Sequence, residues 1–358
     1  AFTYVSGKMM NFGIKVDKQT GSGAYKLTLV SESITPWEND LVSHDATTKE
    51  YVVINSTKGH LKEAIAAANK DYTKIKNLKI TGEISAQDFY FMRDSMENLA
   101  ALNLKEVIIR GGEQRLTGGA QGVYPHNDYE IPYEALRGKK SLNLLVLPDK
   151  LTKIGIAAFA DDQNITCSLI IPEGVTEIEV GAFYDCRSMN GTLSLPSTLK
   201  YLGRGIDLWW YGGVFTYCGF TSELILPNNL ECIAGNNTFA GCEGLHGELR
   251  FPEKLTEISD GAFNGCKSLT GSITIPQGVH KLPTSVFQFC DNLNGTLTLP
   301  DGITSIGYNC FQGCALKGEL KLPKNLTVIA DEVFNGCDFS GELVLPKTIR
   351  SIGKRAFA

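Results

Sequence analysis

Between residues 140 and 358 the apolar positions recur with a period of about two dozen residues. Prolines mark the period: Pro148, Pro172, Pro196, Pro227, Pro252, Pro276, Pro300, Pro323 and Pro346 are spaced by 24, 24, 31, 25, 24, 24, 23 and 23 residues. One unit reads LTEISDGAFNGCKSLTGSITIP (255–276) and the next reads VHKLPTSVFQFCDNLNGTLTLP (279–300). Their shared pattern is L/V-x-x-I-x-x-x-A-F-x-x-C-x-x-L-x-G-x-L-x-L-P. The L-x-L alternation, as at Gly295-Thr296-Leu297-Thr298-Leu299, predicts a short strand with one face buried. Proline stops it, having no N–H to give to a ladder. The L-x-x-I segment turns the chain back and adds two apolar anchors. The A-F-x-x-C segment is too short for an independent helix and predicts a helical turn that plugs its phenylalanine into the interior. One such unit cannot bury its own apolar side, so neighbours must stack into a solenoid with a continuous core and a ribbon of parallel strands along one face.

Upstream the rhythm loosens. Residues Ile75 to Gly82 predict a strand, and Ser85 with Asp88 forms a capping box that opens a helix running to about Ser95. Leu99-Ala100-Ala101-Leu102-Asn103-Leu104 carries an L-x-x-L-x-L strand signature. Ser56 to Asn69, with Leu61, Ala64, Ile65 and Ala68 at helical spacing, predicts an amphipathic helix that caps the open end of the stack. Alternation in stretches such as Tyr25-Lys26-Leu27-Thr28-Leu29-Val30 predicts a small β-rich N-terminal segment, an appendage or the remnant of another domain. The expected organisation is thus residues 1–45 as that segment, 46–98 as cap and strand-helix entry, and 99–358 as solenoid. The pattern stops on the A-F of a further unit, Ala356-Phe357, so either the protein continues or Phe357 closes the stack.

The period lies within the 20–29 residues of leucine-rich repeats. The text resembles one branch of them, the BspA-like or Treponema-type repeats, in which L-x-I/L-P is followed by I-x-x-x-A-F-x-x-C. The resemblance covers about nine units over roughly residues 140 to 358. It implies an α/β repeat solenoid, a right-handed leucine-rich repeat array with short parallel strands, an N-terminal helical cap and the small β-rich segment before it. It further implies an exported bacterial surface protein whose relatives act in adhesion, co-aggregation or the binding of host proteins.

The cysteines sharpen this picture. Of the 10 in the chain, Cys186, Cys218, Cys242, Cys266, Cys290, Cys314 and Cys337 share one repeat position. In an exported protein they suggest a disulfide framework; in a stack they suggest a column of compact buried thiols. Equivalent side chains on strands about 4.8 Å apart point in parallel, which suits disulfide geometry poorly, so free thiols are expected. Cys167, Cys232 and Cys310 fall off the column. Cys310 fills the alanine slot and points inward, so its spacing to Cys314 is not a zinc pair.

Charge and motifs act mainly by exclusion. A net charge of -5 argues against nucleic acid as a partner. No apolar run is long enough to span a membrane. The 5 histidines show no H-E-x-x-H spacing, and there is no G-x-S-x-G elbow. Gly138-Lys139-Lys140-Ser141 lacks the upstream glycine of a phosphate loop. Glu248, Glu319 and Glu342 form a carboxylate row on an exposed face, where nothing separates their pKa values for acid–base work. No catalytic residue, metal or cofactor is expected, and the chain is not expected to be an enzyme.

Recognition is the expected function. The repeat face would carry Thr192, Ser194, Glu248, Arg250, Ser272, Thr274, Thr296, Thr298, Glu319 and Lys321, a wet surface rich in hydroxyls and mixed charge. Two loops interrupt the regularity. Gly111 to Glu130, with Tyr124, His126, Asp128 and Tyr129, is either a flexible excursion or a rim loop that touches a ligand. The second follows Pro196: a normal unit spans 11 residues from Pro252 to Phe263, whereas Pro196 to Phe215 spans 19, so about eight extra residues lie near Arg204 to Tyr211. Trp209, Trp210 and Tyr211 in that insertion either fold back over the adjacent repeat or serve as anchors for a protein or a sugar ring. The candidate ligand-binding residues are Trp209, Trp210, Tyr211, Arg204, Arg250, Glu248 and Lys321. The expected partners are host or bacterial surface proteins, or glycans held by the insertion at 204–211, and the expected location is extracellular or on the bacterial cell surface.

Overall fold

The computed structural model describes residues 8–18, 25–36, 49–115, 123–205 and 212–358. The chain divides into two compact units, Ala1–Lys49 and Glu50–Ala358. In the first, β1 (Lys8–Lys18) and β2 (Tyr25–Pro36) pair antiparallel as one hairpin, with a register shift between Gly13 and Ile14.

The second unit opens with a parallel sheet. β3 (Val52–Ser56), β4 (Asn77–Ile84) and β5 (Ala101–Asn103) lie side by side, and β6 (Val107–Ile109) pairs with the far end of β4. The first repeat strand, Leu144–Val146, extends this sheet by pairing with β5. Two helices sit beside it, α1 (Leu61–Ala67), which buries Leu61 and Ile65, and α2 (Ala86–Ser95). α1 is shorter than the apolar spacing suggests because a turn closed by His60 N–H on the Thr57 carbonyl precedes it. α2 begins where the capping box places it. The buried Asp88 carboxylate accepts the N–H of Ser85 (2.8 Å), of Gly59 (2.7 Å) and of Leu61 (2.9 Å). One side chain thus satisfies orphan donors at the start of both helices and ties them together.

From Glu130 onward the unit is a stack of turns. Its main ladder forms on the L-x-x-I segments. Glu130–Ile131, Lys153–Ile154, Glu177–Glu179, Tyr201–Arg204, Cys232–Ile233 and Glu257–Ile258 make a six-stranded parallel sheet; Lys281–Leu282, Ser305–Ile306, Val328–Ile329 and Ser351–Ile352 make a four-stranded one. The segment that the hydrophobic pattern presents as a return bend is therefore the ribbon. The L-x-L segments, each cut off by proline, pair only two turns at a time, as Leu169–Ile170 with Leu193–Ser194 and Ile273–Thr274 with Leu297–Thr298.

The ribbon breaks between Glu257–Ile258 and Lys281–Leu282, and the sequence supplies the reason. In neighbouring turns the residue after the strand donates its N–H to the strand-end carbonyl one turn back: Gly155 to Ile131, Ser259 to Ile233, Gly307 to Leu282 and Gly353 to Ile329. Pro283 stands in that slot and has no N–H to give to Ile258.

The A-F-x-x-C segment is not a helical turn. From Phe159 to Phe334 the residues two before and two after the phenylalanines have left-handed backbones, with φ from 51° at Ala157 to 81° at Gly336; Gly213, before Phe215, is the exception. Such residues confine any right-handed run to a few positions. The phenylalanine N–H groups accordingly bond forward to the next turn: Phe183 to Val214 O (2.9 Å), Phe239 to Ala262 O (2.8 Å), Phe311 to Val333 O (2.8 Å). The rings form a single file from Phe159 through Phe183, Phe215, Phe239, Phe263, Phe287, Phe311 and Phe334 to Phe357, stacked with centroids 5.2 to 5.7 Å apart.

All the cysteines are free thiols, as the parallel geometry requires. Each column thiol donates to the phenylalanine carbonyl one turn back, Cys186 to Phe159 O (3.1 Å), Cys242 to Phe215 O (2.9 Å), Cys290 to Phe263 O (3.0 Å) and so on to Cys337. That carbonyl also accepts the backbone N–H of the cysteine in its own turn, as Cys242 N–H to Phe239 O (3.1 Å). Both lone pairs of a buried carbonyl are thereby used. Burial pushes the thiols of Cys242 and Cys290 up to about 12, which keeps them protonated and donating.

At the N-terminal end of the two columns the residue types change. Leu136 takes the phenylalanine slot, and Lys139 and then Asp162 take the cysteine slot. Lys139 Nζ donates to the carbonyls of Met96 (2.6 Å) and Arg93 (3.2 Å), capping the C-terminus of α2. Asp162 Oδ1 accepts the Lys139 backbone N–H, while its Oδ2 is buried without a partner. Burial raises the Asp162 pKa well above the usual carboxylate value and so favours the neutral acid.

Two stability changes follow from these columns. Phe263→Ala, with a ring stacked on both sides, lowers the free energy of unfolding by about 3–5 kcal/mol, and Phe357→Ala, on a ring 40% exposed at the end of the file, costs well under half of that, as read from urea midpoints. Because the folded state raises the Asp162 pKa, this group's contribution is intact below its unfolded value and becomes a penalty as pH rises. Asp162→Asn therefore raises Tm at pH 8, and the gain shrinks toward pH 4; an equal gain at both values contradicts the assignment.

Candidate functional site

On the ladder face the residue before each strand-end Ile or Leu forms one column, and the residue two after it forms a second, which is buried and apolar at Tyr133, Ile156 and Val180. Over the six-stranded part, residues on and beside the first column hold polar groups that answer one another. Lys153 Nζ lies 2.7 Å from Glu179 Oε1 and 3.9 Å from Glu177 Oε2. Burial alone would lower the Lys153 pKa, but the bonded Glu179 carboxylate outweighs it and the ammonium is stabilised. Burial raises Glu179 in turn, against the pull of Lys153. Further along, the Arg204 guanidinium stacks on the Tyr201 ring with 3.6 Å to its centroid, and Tyr201 O–H donates to Glu231 Oε2 at 3.1 Å. Cys232 Sγ donates to Glu257 Oε2 at 2.8 Å, and burial followed by that carboxylate pushes the thiol up to about 12. A thiol so protonated is a poor nucleophile, and the cluster serves as a scaffold of paired polar groups.

Over the four-stranded part the same columns change character. Tyr308 is 57% exposed and Val328 is 41% exposed. With Pro283, Gly307, Ala330 and Ile352 they line a shallow groove of about 470 Å³. Two carboxylates belong to it. Asp260 Oδ1 accepts the Thr284 N–H and Asp331 Oδ1 accepts the Lys354 N–H, each at 2.8 Å, so each aspartate is held by the next turn. A smaller cavity of about 190 Å³ lies among Phe334, Phe339, Leu343 and Phe357, on the inward side of the last turn.

The residues expected from sequence are spread over separate places. Arg204 lies on the ladder face, exposed. Glu248 and Arg250 lie on an L-x-L segment and pair with each other at 2.7 Å, and Lys321 pairs with Glu319 at 3.3 Å two turns or more away from the ladder's Arg204 in sequence. These pairs are internal to one turn, because residues two apart on a strand share a side. Trp209, Trp210 and Tyr211 lie outside the described residues. In the loop Gly111 to Glu130, Asp128 binds Arg110 (2.8 Å) and the Gly111 N–H (2.8 Å), and the buried His126 bonds the Gly112 carbonyl through Nδ1 (3.0 Å), with its pKa lowered by burial. Those side chains tie together the described ends of the loop, residues 110–112 and 126–128. Tyr308, Val328, Asp260 and Asp331 were not singled out by sequence reasoning. A signal was available for Val328, the aliphatic residue in a column that otherwise reads Glu130, Lys153, Glu177, Tyr201, Cys232, Glu257, Lys281, Ser305 and Ser351; Tyr308 gave none, because its column also holds Tyr133, Ile156 and Val180. Among the described residues no cluster of His, Cys, Asp or Glu is placed to hold a metal ion, and no helix is long and apolar enough to cross a membrane.

Comparison with known proteins identifies the repeats by family. The family model of the BspA type leucine rich repeat region matches in 6 copies, over residues 129–206, 211–338 and 270–358. Among solved structures, the chain is similar to a leucine rich repeat protein of T. pallidum, at 26% identity over 56% of this chain and 74% of that one, with a TM-score of 0.35. It is similar to a leucine-rich repeat protein of Bacteroides ovatus at 18% identity, over 98% and 91% of the two chains, with a TM-score of 0.41. It is also similar to a leucine rich cell surface protein of Faecalibacterium prausnitzii at 20% identity, over 100% and 86%, with a TM-score of 0.42. No curated protein matches it. The matched residues make up more than half of the chain and carry its proline, phenylalanine and cysteine columns, so the chain belongs to the BspA-type leucine-rich repeat family.

Proposed function

We propose that this chain is a non-enzymatic recognition protein, displayed on a bacterial surface or secreted, that binds a host or bacterial surface protein through its ladder face. One observation carries the reading. The inward columns repeat turn after turn, while the outward columns change from paired charges to an exposed apolar groove flanked by carboxylates. A surface that varies on a constant core is what selective contact with a macromolecule needs, and leucine-rich repeat arrays present such a surface over many turns. The thiols are buried and protonated, which leaves them structural.

A second reading rests on Arg204, whose guanidinium is exposed and held flat on Tyr201 at the start of the insertion. A planar cation beside an aromatic-rich segment suits a glycan, through ring stacking by Trp209 and Trp210 and hydrogen bonds from Arg204.

Titration of the intact chain against fractionated mucin and extracellular-matrix proteins tests the first reading. A saturable partner is expected, with affinity at least tenfold weaker for a chain carrying Arg204→Ala, Tyr308→Ala and Val328→Glu together at unchanged thermal stability. A partner bound equally by that variant overturns the ladder face as the binding surface. For the second reading a glycan array decides: a hit that disappears with Trp209→Ala and with Trp210→Ala supports it, and an array without hits ends it.

A further inference from the structure

We infer that the groove over the four-stranded part of the ladder is a docking site for an extended basic polypeptide segment that lies across the strands. The inference rests on the recognition reading above and names the place and the chemistry of the partner.

Three observations converge on it. The first is unpaired charge. Earlier on the ladder Glu177 and Glu179 have Lys153, and Glu231 has Tyr201 and Lys200; Glu257 has the Cys232 thiol. Asp260 and Asp331 have no cation within ion-pair distance among the described residues, and each spends one oxygen on a backbone N–H of the next turn. That bond fixes the carboxylate before any partner arrives, which lowers the ordering cost of binding. Lys281 is the one cation among the residues that line the groove.

The second is the floor. Tyr308 is exposed between the two aspartates, one turn before Asp331, and Val328 is exposed in the turn of Asp331 itself, with Pro283 and Ala330 also lining the groove. Aliphatic stems of lysine or arginine pack on such a surface while their charged ends reach a carboxylate. A saccharide would want hydrogen-bonding groups across the floor; here aliphatic and proline carbons interrupt them.

The third is direction and reach. Asp260 and Asp331 stand three turns apart, about 14 Å at the usual 4.8 Å between strands, which an extended chain covers in about four residues at ~3.3 Å each. The ladder strands within the groove are already paired to one another, so the segment lies over them rather than adding a strand. It carries cations near its two ends and apolar side chains between them.

The test selects a phage-displayed random heptapeptide library on the intact chain and measures the enriched peptides by fluorescence anisotropy. The variants are Asp260→Asn with Asp331→Asn, which keep an acceptor for each N–H, and Val328→Lys, which adds a repelling charge to the floor. Melting curves establish that both variants are folded. Expected are peptides enriched in Lys or Arg around an apolar pair, with affinity at least tenfold weaker for either variant and weaker for the unsubstituted chain in 300 mM than in 50 mM salt. Peptides without cationic enrichment, unchanged affinity for both variants, or no enrichment at all overturn the inference. Enriched peptides that ignore the groove variants but are lost with Arg204→Ala also overturn it, while leaving recognition by the ladder face standing. Glycan-array hits that disappear in the Asn variant, with no peptide enriched, assign the groove to sugar and overturn it as well.

Discussion

Everything in the solenoid depends on the direction of the backbone N–H groups in the phenylalanine turn. Left-handed residues flanking the phenylalanines keep the turn from continuing as a helix: every second donor closes a bond within the turn, as Tyr184 N–H on Gly181 O, and the others, the phenylalanine N–H among them, go to the next turn. Its carbonyl is then filled by the thiol of the turn after it. A turn in isolation therefore has unsatisfied groups on both sides as well as a bare ring. Each turn folds only as a neighbour of another, which is why the array needs ends of a different kind. Helices α1 and α2 supply the N-terminal one, and Lys139 and Asp162 adapt the thiol column to it: the lysine reaches the helix carbonyls that a cysteine is too short to touch.

The same constraint frees the outer face. Leucine, isoleucine, phenylalanine and cysteine columns supply the core from the inside, so the ladder's outward residues, several of which, such as Asp260 and Asp331, bond the next turn, can differ from turn to turn. They change along the array from ion pairs at Lys153 and Glu179 to an apolar stretch at Tyr308 and Val328 without any change in the core beneath. Position along the stack thus sets surface chemistry, while the period alone sets the fold.

The period, the ring file and the free thiols were legible in the sequence, because each is a single residue type at a fixed spacing and parallel geometry decides the rest. The α2 capping box was legible for the same reason, with Ser85 and Asp88 three residues apart. The phenylalanine turn was not: A-F-x-x-C has helical spacing, and only Gly181, Gly241, Gly261, Gly265, Gly313 and Gly336 with Asn237 and Asn309 in the flanking slots point to left-handed backbone. The ribbon was misplaced because L-x-L and L-x-x-I are both apolar pairs, and hydrophobicity does not say which one keeps its N–H groups. Glu248, Arg250 and Lys321 look like free surface charges in sequence; the strand puts partners two residues apart on one side and pairs them off. Asp260 and Asp331 look ordinary, and their lack of a cation is a property of the neighbouring turns.

Pro283 joins the fold to the candidate site. A proline in this slot withholds one hydrogen bond from the ribbon, and the core tolerates it because Leu282, Val286 and Phe287 on either side remain fully buried. The loss falls entirely on the outer face, where the Ile258 carbonyl is left without the donor its equivalents have. The turns on the two sides are still joined through the phenylalanine segment, by Gly261 N–H on Thr284 O and Phe263 N–H on Val286 O. So the ribbon is split where the core is whole, and the groove begins at the split, with Asp260 on one side of it and Tyr308, Val328 and Asp331 on the other. A residue that weakens a sheet without serving the core is explained by what it does at the surface.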